Sequence, residues 1–344
     1  MFTRYYLMMF VLLVAVTGNA SAIVSEPVEY PLTITDNFNY TVIIDEKPQR
    51  IVSTMKSNTE LLFAVGAGDD VVGGTMHDDY PPEVENLTRV GGYTNLNYES
   101  IVDLEPDLVL AEEGNGEEAV NMMKDLGLNV VVLNAYTIDD IMENIELVGR
   151  ITDNENNALA ITADMRQRIG NVNQMTDGLP DEVRPRVLYI VWDDPMYGAG
   201  ADTYPSDLVH MAGGVNIVKV DGWPVISLED TIASNPQIII CSSMGNRSYT
   251  IMESINNNEV LAQTDAVKNN RVYAIANPGT IEISGPRIVQ GLEELYTYIL
   301  PVTTENQLVT EGTEDESDDT ASVPGFGMLL ATITLLAGYL RIRK

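Results

Sequence analysis

One cysteine in 344 residues, Cys241, leaves no partner for a disulfide within the chain. Two histidines, His77 and His210, are too few to build a zinc or manganese site of several imidazoles. Basic residues are scarce as well: 19 Lys and Arg stand against 51 Asp and Glu, a formal net charge of −32. Such a surface repels phosphate backbones, so nucleic acid is excluded as a partner; its plain role is solubility, for instance in a saline medium. The chain contains no Gly-x-Ser-x-Gly, no phosphate-binding loop, no His-Glu-x-x-His and no paired-cysteine metal motif. Gly66-Ala67-Gly68 reads as a helix end, because the third glycine of a dinucleotide fingerprint is missing and a helix precedes it. These absences point away from an enzyme and from a resident cofactor.

Long apolar runs occur only near the two ends. Arg4, the run Leu7 to Val16 and then Ala20-Ser21-Ala22 describe a secretory signal peptide over residues 1–22, too short in its apolar part to span a membrane well. Residues 303–322 turn acidic and polar and are expected to form a disordered linker. Val323-Pro324-Gly325-Phe326-Gly327, an apolar run to Leu340 and Arg341-Ile342-Arg343-Lys344 follow, so residues 323–344 read as a membrane anchor with a cytoplasmic basic end. The Pro-Gly-Phe start and basic end resemble the archaeal sorting signal that is cleaved and replaced by lipid. Either way the body is expected outside the cell, held to the outer face of its membrane.

What the body does have is a repeat. Gly92-Tyr93-Thr94-Asn95-Leu96-Asn97-Tyr98-Glu99, then Pro106 and Leu108-Val109-Leu110, returns 130 residues later as Gly222-Trp223-Pro224-Val225-Ile226-Ser227-Leu228-Glu229, then Pro236 and Ile238-Ile239-Ile240. Each copy reads as glycine, aromatic, short loop, helix N-cap, first-turn glutamate, proline and buried strand. Two similar halves follow from a repeat of this length.

Within the first half, residues 30–44 alternate around Asp36-Asn37 as a hairpin. Strands are expected at 50–53, 71–73 and 129–133, and Ser57-Asn58-Thr59-Glu60 reads as a capping box opening a helix that Gly66 or Gly68 ends. Ile138, Ile141, Ile145, Val148 and Ile151, continued after Asp153 by Ala158, Ile161, Met165, Ile169 and Val172, predict one long helix or two nearly collinear ones. The second half restarts at Arg186-Val187-Leu188-Tyr189, has a helix ending at Met211-Ala212-Gly213-Gly214 and a strand at 271–275, and closes with a helix from Gly285-Pro286-Arg287 to about Leu300. Strands alternating with helices indicate parallel α/β sheets. The expected divisions are an N-terminal α/β lobe at 23–136, an interlobe helix at 137–176 and a C-terminal α/β lobe at 177–302.

Several residues carry two readings. Tyr93 and Trp223 either cover the core edge of their own half or grip a large ligand, and their matched places in the repeat favour the grip. Tyr197, in Trp192-Asp193-Asp194-Pro195-Met196-Tyr197-Gly198, is a weaker candidate of the same kind. His77 is either a solvated loop histidine or a ligand contact, and His210 reads as structural. Glu99 and Glu229 sit in first helical turns, where the helix dipole stabilises a carboxylate by roughly 0.3–1 kcal/mol; the other reading has each docking on an arginine of a partner, a bivalent contact that fixes orientation. Cys241 reads as a buried strand residue.

Arg50 to Gly66, Asp79-Tyr80-Pro81-Pro82, Val90-Gly91-Gly92-Tyr93, the Glu99 segment, Met211 to Asn216, Gly222-Trp223-Pro224 with Ser227-Leu228-Glu229, and Gly285-Pro286-Arg287 together resemble the substrate-binding proteins of iron-siderophore and vitamin B12 ABC importers. The resemblance runs from about Tyr30 to Leu300. It implies a class III periplasmic-binding-protein fold: two Rossmann-like lobes joined by one long rigid α-helix, with the ligand held between them. It implies a monomer that takes a metal chelate and hands it to an ABC permease with its ATPase subunit, Glu99 and Glu229 engaging permease arginines. It puts Tyr93, Trp223, Tyr197 and His77 at aromatic positions of the B12-binding branch, and Glu282 at a cleft-lining acid. Glu112 departs from that branch, standing where a B12-binding relative has an aromatic. A corrinoid is the favoured ligand and a ferric siderophore or haem the alternative, with Arg247 and Arg287 the arginines for an anionic chelate. A structural cell-surface protein on the same fold is the reading from another class.

Overall fold

The computed structural model describes residues 28–243 and 247–314. The signal-peptide segment 1–22 and the anchor segment 323–344 lie outside the described residues. The chain forms two compact units, the first drawn from residues up to Ala135 and from Asp139–Arg166, the second from Tyr136–Ile138 and from Gln167 onward.

Unit 1 begins with the antiparallel hairpin β1 (Leu32–Thr35) and β2 (Thr41–Ile44), paired Leu32 to Ile44. Its residues alternate buried and exposed, as a sheet with one dry face requires. Asp36 closes the turn by accepting from the Tyr40 N–H at 2.8 Å. A parallel sheet follows: β3 (Ile51–Ser53), β4 (Val71–Gly74), β5 (Thr88–Arg89), β6 (Leu108–Glu112) and β7 (Val130–Leu133), in the order β5-β4-β3-β6-β7. β3 and β7 are buried at every position, and β6 at all but its last. Strands covered on both faces read as unbroken apolar runs for this reason. Helices α1 (Lys56–Val65), α2 (Tyr98–Asp103) and α3 (Glu117–Asp125) connect them.

Helix α1 corrects the capping-box reading. It starts at Lys56 from an extended Met55 with no side-chain cap, and Ser57, Asn58, Thr59 and Glu60 are buried inside it. Their polar atoms serve the sheet instead: Asn58 donates to the Ala111 carbonyl at 2.9 Å, and Thr59 to the Ser53 hydroxyl at 2.8 Å. Gly66 ends the helix in the left-handed conformation, as expected.

The stretch 137–176 is also corrected. It is neither one helix nor a collinear pair, but α4 (Ile138–Ile151) and α5 (Glu155–Thr176), separated by Asp153 at φ 54°. The Thr162 hydroxyl and the Arg166 guanidinium of α5 both reach Glu146 of α4, at 2.7 and 2.8 Å, so the helices lie side by side. The 3–4 spacing of apolar residues continues across the break because both helices bury the same kind of stripe. At the crossing a β-carbon on Gly149 would stand 2.3 Å from the Ala158 β-carbon. Gly149→Ala is therefore expected to destabilise the protein by about 1–3 kcal/mol, seen as a lower midpoint in urea unfolding, whereas an unchanged midpoint would show that the helices can move apart freely.

Unit 2 repeats the plan. Strands β8 (Arg186–Asp193), β9 (Met196–Gly198), β10 (Val215–Asn216), β11 (Ile238–Cys241) and β12 (Val272–Ala274) form a sheet of order β10-β8-β11-β12, parallel throughout, with β9 folding back antiparallel on β8. Helices α6 (Tyr204–Met211), α7 (Leu228–Ser234), α8 (Ser248–Asn256), α9 (Asp265–Lys268) and α10 (Ile288–Glu314) complete it. β3 lies between β4 and β6 and β8 between β10 and β11, so in each unit the first sheet strand neighbours the strand that follows the repeated proline, Pro106 or Pro236.

Helix α10 begins after Pro286 and runs past Leu300 through Pro301 to Glu314, so residues 303–314 of the expected linker are helical. The side chains there explain it: the Asn306 amide donates to the Val183 carbonyl at 3.1 Å and accepts from Gln237 at 3.1 Å, and Glu305 pairs with Arg271. Charge composition marks this segment as linker, but the polar groups are spent on unit 2.

Candidate functional site

In unit 1 three loops at the ends of β4, β6 and the repeat segment meet. The loop after β4 carries His77, exposed, with Asp78 buried beneath it. The Asp78 carboxylate accepts from the Thr75 N–H (2.9 Å), the Thr75 hydroxyl (2.7 Å) and the Thr59 hydroxyl (2.9 Å), which fixes the turn. Burial raises the Asp78 pKa, against those hydrogen bonds and Arg89. His77 stands against Tyr93, ring centroids 4.5 Å apart and tilted by 44°. A β-carbon at position 92 would meet the His77 Nε2 at 3.2 Å and the Asn95 Oδ1 at 2.5 Å, so glycine is what lets the two loops close up.

Tyr93 is half-buried and held by its backbone: its carbonyl accepts from the Asn115 amide at 2.8 Å. Asn115, itself buried, also donates to the Thr54 carbonyl (3.0 Å) and accepts from the Glu112 N–H (2.9 Å). One side chain thus ties the Tyr93 loop to the end of β6, where Glu112 sits. Burial pushes the Glu112 carboxyl up to about 7, with Glu113 adding to the effect and a hydrogen bond from the Gly114 amide opposing it. Burial raises the Tyr93 phenol too, reinforced by Asp78, Asp79 and Glu112.

Unit 2 presents its rings on paired loops. The segment 220–226 lies along β9: Gly198 N–H donates to the Pro224 carbonyl, Ile226 N–H to the Met196 carbonyl at 2.7 Å, and Tyr197 bridges to Val225. This brings Tyr197 and Trp223 onto neighbouring strands of one exposed rim, Trp223 at 44% exposure and Tyr197 at 36%. Large rings left in water at this level are available for contact.

Glu99 and Glu229 are exposed in the first turns of α2 and α7. The caps expected from the repeat are present: Asn97 accepts from the Ser100 N–H at 3.1 Å and Ser227 from the Asp230 N–H at 3.0 Å. The two halves therefore set an acid at the same place on the same kind of helix.

Glu282 does not line an open face. It is 6% exposed, and its carboxylate accepts from the buried Tyr189 hydroxyl at 2.9 Å. Burial raises its pKa, with the hydrogen bonds from Tyr189 and Ser242 opposing the shift. The sign follows: the unfolded chain loses this proton above its ordinary range near 4.3, so this group's contribution favours the folded state below that range and is lost as pH rises from there through the higher folded-state value. Stability is expected to fall more between pH 5 and pH 8 in the wild type than in Glu282→Gln, measured by urea unfolding; equal slopes would mean the carboxyl titrates normally.

Sequence patterns passed over Trp192 as a contact. It is 41% exposed, and the Arg247 guanidinium lies 4.0 Å from its ring centroid while pairing with Asp193 at 3.3 Å. Arg247 is thus already engaged rather than free for an anionic chelate. His210 is exposed on α6 and Cys241 is fully buried in β11, where burial raises its thiol pKa. Among the described residues no cluster of His, Cys, Asp and Glu could hold a metal ion, and no helix is long and apolar enough to cross a membrane.

Two parallel α/β units each carry a pair of rings in the loops beside an N-capped helix, the arrangement of a two-lobed binding protein. The model of the family described as periplasmic binding protein matches residues 51–278, and the chain belongs to that family. It is 32% identical to an ABC transporter substrate-binding lipoprotein, YvrC, of Bacillus subtilis over 80% of this chain and 87% of that one. It is 28% identical to a cobalamin-binding protein of Halobacterium salinarum, covering 83% of this chain and 81% of the relative. Among solved structures it superposes on the periplasmic vitamin B12 binding protein BtuF of Vibrio cholerae with a TM-score of 0.66 at 27% identity, covering 74% and 98% of the two chains. A periplasmic heme-binding protein of Roseiflexus, RhuT, matches with a TM-score of 0.65 at 25% identity over 74% and 99%. These neighbours are class III periplasmic binding proteins, so the fold class expected from the sequence holds.

Proposed function

We propose that this chain is an extracytoplasmic carrier that captures a corrinoid and delivers it to an ABC permease. The observation that carries this reading is the pair of matched aromatic rims, His77 with Tyr93 in unit 1 and Trp223 with Tyr197 in unit 2. Flat or puckered macrocycles bury large apolar area against rings, and a few polar groups orient them. Glu112 supplies one such group. The relatives named for cobalamin and vitamin B12 support the corrinoid. Glu99 and Glu229 are the permease contacts in this reading, and residues 323–344 the membrane attachment; no bond of the ligand is made or broken, and the carrier works as a monomer.

The relatives named for haem support a second reading, a haem or ferric chelate on the same rims. Calorimetric titration of the detergent-solubilised full chain with cobalamin, cobinamide, haemin and a ferric hydroxamate separates them. Corrinoid binding tighter than about 1 μM, roughly −8 kcal/mol, with weaker binding of the others is expected. Preference for haemin or the hydroxamate replaces the first reading with the second. Binding of none leaves a structural surface protein.

A further inference from the structure

We propose that the ligand face of unit 2 extends beyond Trp223 and Tyr197 to Trp192 and Val225, a continuous apolar shelf on which one side of the macrocycle lies. This rests on the carrier reading above. The strand pairing places the four side chains together. In antiparallel neighbours, residues directly opposite each other point to the same side of the sheet. Trp192 of β8 stands opposite Tyr197 of β9, and Tyr197 stands opposite Val225 of the next segment. Trp223 lies two residues before Val225, and exposure alternates from Asp221 to Ser227, so Trp223 shares that side. Their chain neighbours point the other way: Met196 is buried in the core of unit 2, and Ile226 packs against it. A β-carbon on Gly198 would stand 2.3 Å from the Ile226 Cδ1, so the outer segment is pressed closely onto β9.

The shelf is thus supported from beneath, while all four of its side chains are exposed, Val225 the most at 56%. Two inter-strand spacings put Trp192 and Val225 about 10 Å apart, the width of a tetrapyrrole core. The Trp192 indole is fixed before anything binds. Its Nε1 donates to the Asp194 carbonyl at 2.9 Å, and the Arg247 guanidinium carbon lies 4.0 Å from its ring centroid. A ring already immobilised loses little side-chain entropy on contact. Charge stays at the margins: Asp194 and Asp221 stand at the ends of the paired segments, and Arg247 pairs with Asp193 at 3.3 Å. An apolar floor with polar groups at its edge suits a macrocycle whose faces are apolar and whose rim is polar. Contiguous exposed rings of this kind mark a contact site, unlike apolar residues scattered singly.

Trp192 and Trp223 are the only tryptophans in the chain, so each can be read separately. Hydroxyl-radical footprinting of the wild-type full chain, followed by mass spectrometry, compares their oxidation with and without saturating dicyanocobinamide. Both rings are expected to lose most of their reactivity when the corrin is bound. Calorimetry of Trp192→Ala is expected to show affinity for dicyanocobinamide lowered about tenfold or more, as for a packed aromatic contact, with Trp192→Phe keeping most of it. Val260→Ala, at an exposed apolar position beyond the C-terminal end of α8, is expected to leave affinity unchanged. Protection of Trp223 alone, or wild-type affinity in Trp192→Ala, overturns the shelf and leaves the carrier reading standing. Normal binding by Trp192→Ala together with lost uptake overturns it too, and assigns this face to the permease. Failure of the wild type to bind dicyanocobinamide removes both the corrinoid reading and the shelf.

Discussion

Corrinoid uptake through the partner permease is expected to be lost when Glu99 and Glu229 are both replaced by alanine, while calorimetric affinity for the ligand stays within about twofold, as for a contact remote from the bound molecule. The reason is local. Both carboxylates stand in the first turn of a helix whose N-cap is filled by Asn97 or Ser227, so the backbone beneath them is already satisfied and does not need the acid. Removing them costs the fold only the few tenths to about 1 kcal/mol that a helix end gives a carboxylate. Two weak charged contacts acting together bind far more tightly than either alone, so each single variant should retain partial uptake and the double variant almost none. Uptake of labelled corrinoid into cells or vesicles carrying the permease measures this, and wild-type uptake by the double variant removes the docking role.

Tyr93→Ala and Trp223→Ala are each expected to weaken ligand binding by about tenfold to a hundredfold, the range of a well-packed aromatic anchor, and together to abolish measurable binding. Trp223 is 44% exposed, so its loss should leave thermal stability nearly unchanged. The Tyr93 backbone carbonyl accepts from the Asn115 amide, so Asn115 keeps the loop in place when the ring and its contact with His77 are gone. Asn115→Ala gives the complementary result: the ring remains but its mooring does not, and affinity falls along with stability. Binding undisturbed by both ring variants would mean the ligand sits elsewhere.

The repeat was the most informative feature of the sequence because its residue types are tied to backbone needs. Asn97 and Ser227 are caps wherever a helix starts, and Pro106 and Pro236 precede strands that the sheets bury. Ser57-x-x-Glu60 satisfies the same pattern yet lies inside α1, since the strand end at Ser53 and the carbonyl of Ala111 claim those polar groups across the fold. Such long-range partners leave no local trace. The break at Asp153 was hidden for a related reason: two helices burying equivalent stripes keep one spacing across the turn. Glu282 shows the limit for sites, because nothing near it in the chain announces that the Tyr189 hydroxyl, 93 positions away, waits for it in the interior. Asn115 and Trp192 became visible only once their neighbours did.

Cys241 offers a practical return. Its thiol lies in the innermost strand of unit 2, fully sealed from solvent, and it is the chain's sole sulfhydryl. A cysteine introduced at an exposed loop position such as Thr94 or Asp221 would be the one group that a maleimide dye reaches in the native protein. Each rim can then be fitted with a fluorophore in turn, without first stripping the natural thiol, and the dye's emission would report arrival of the chelate at that rim in real time.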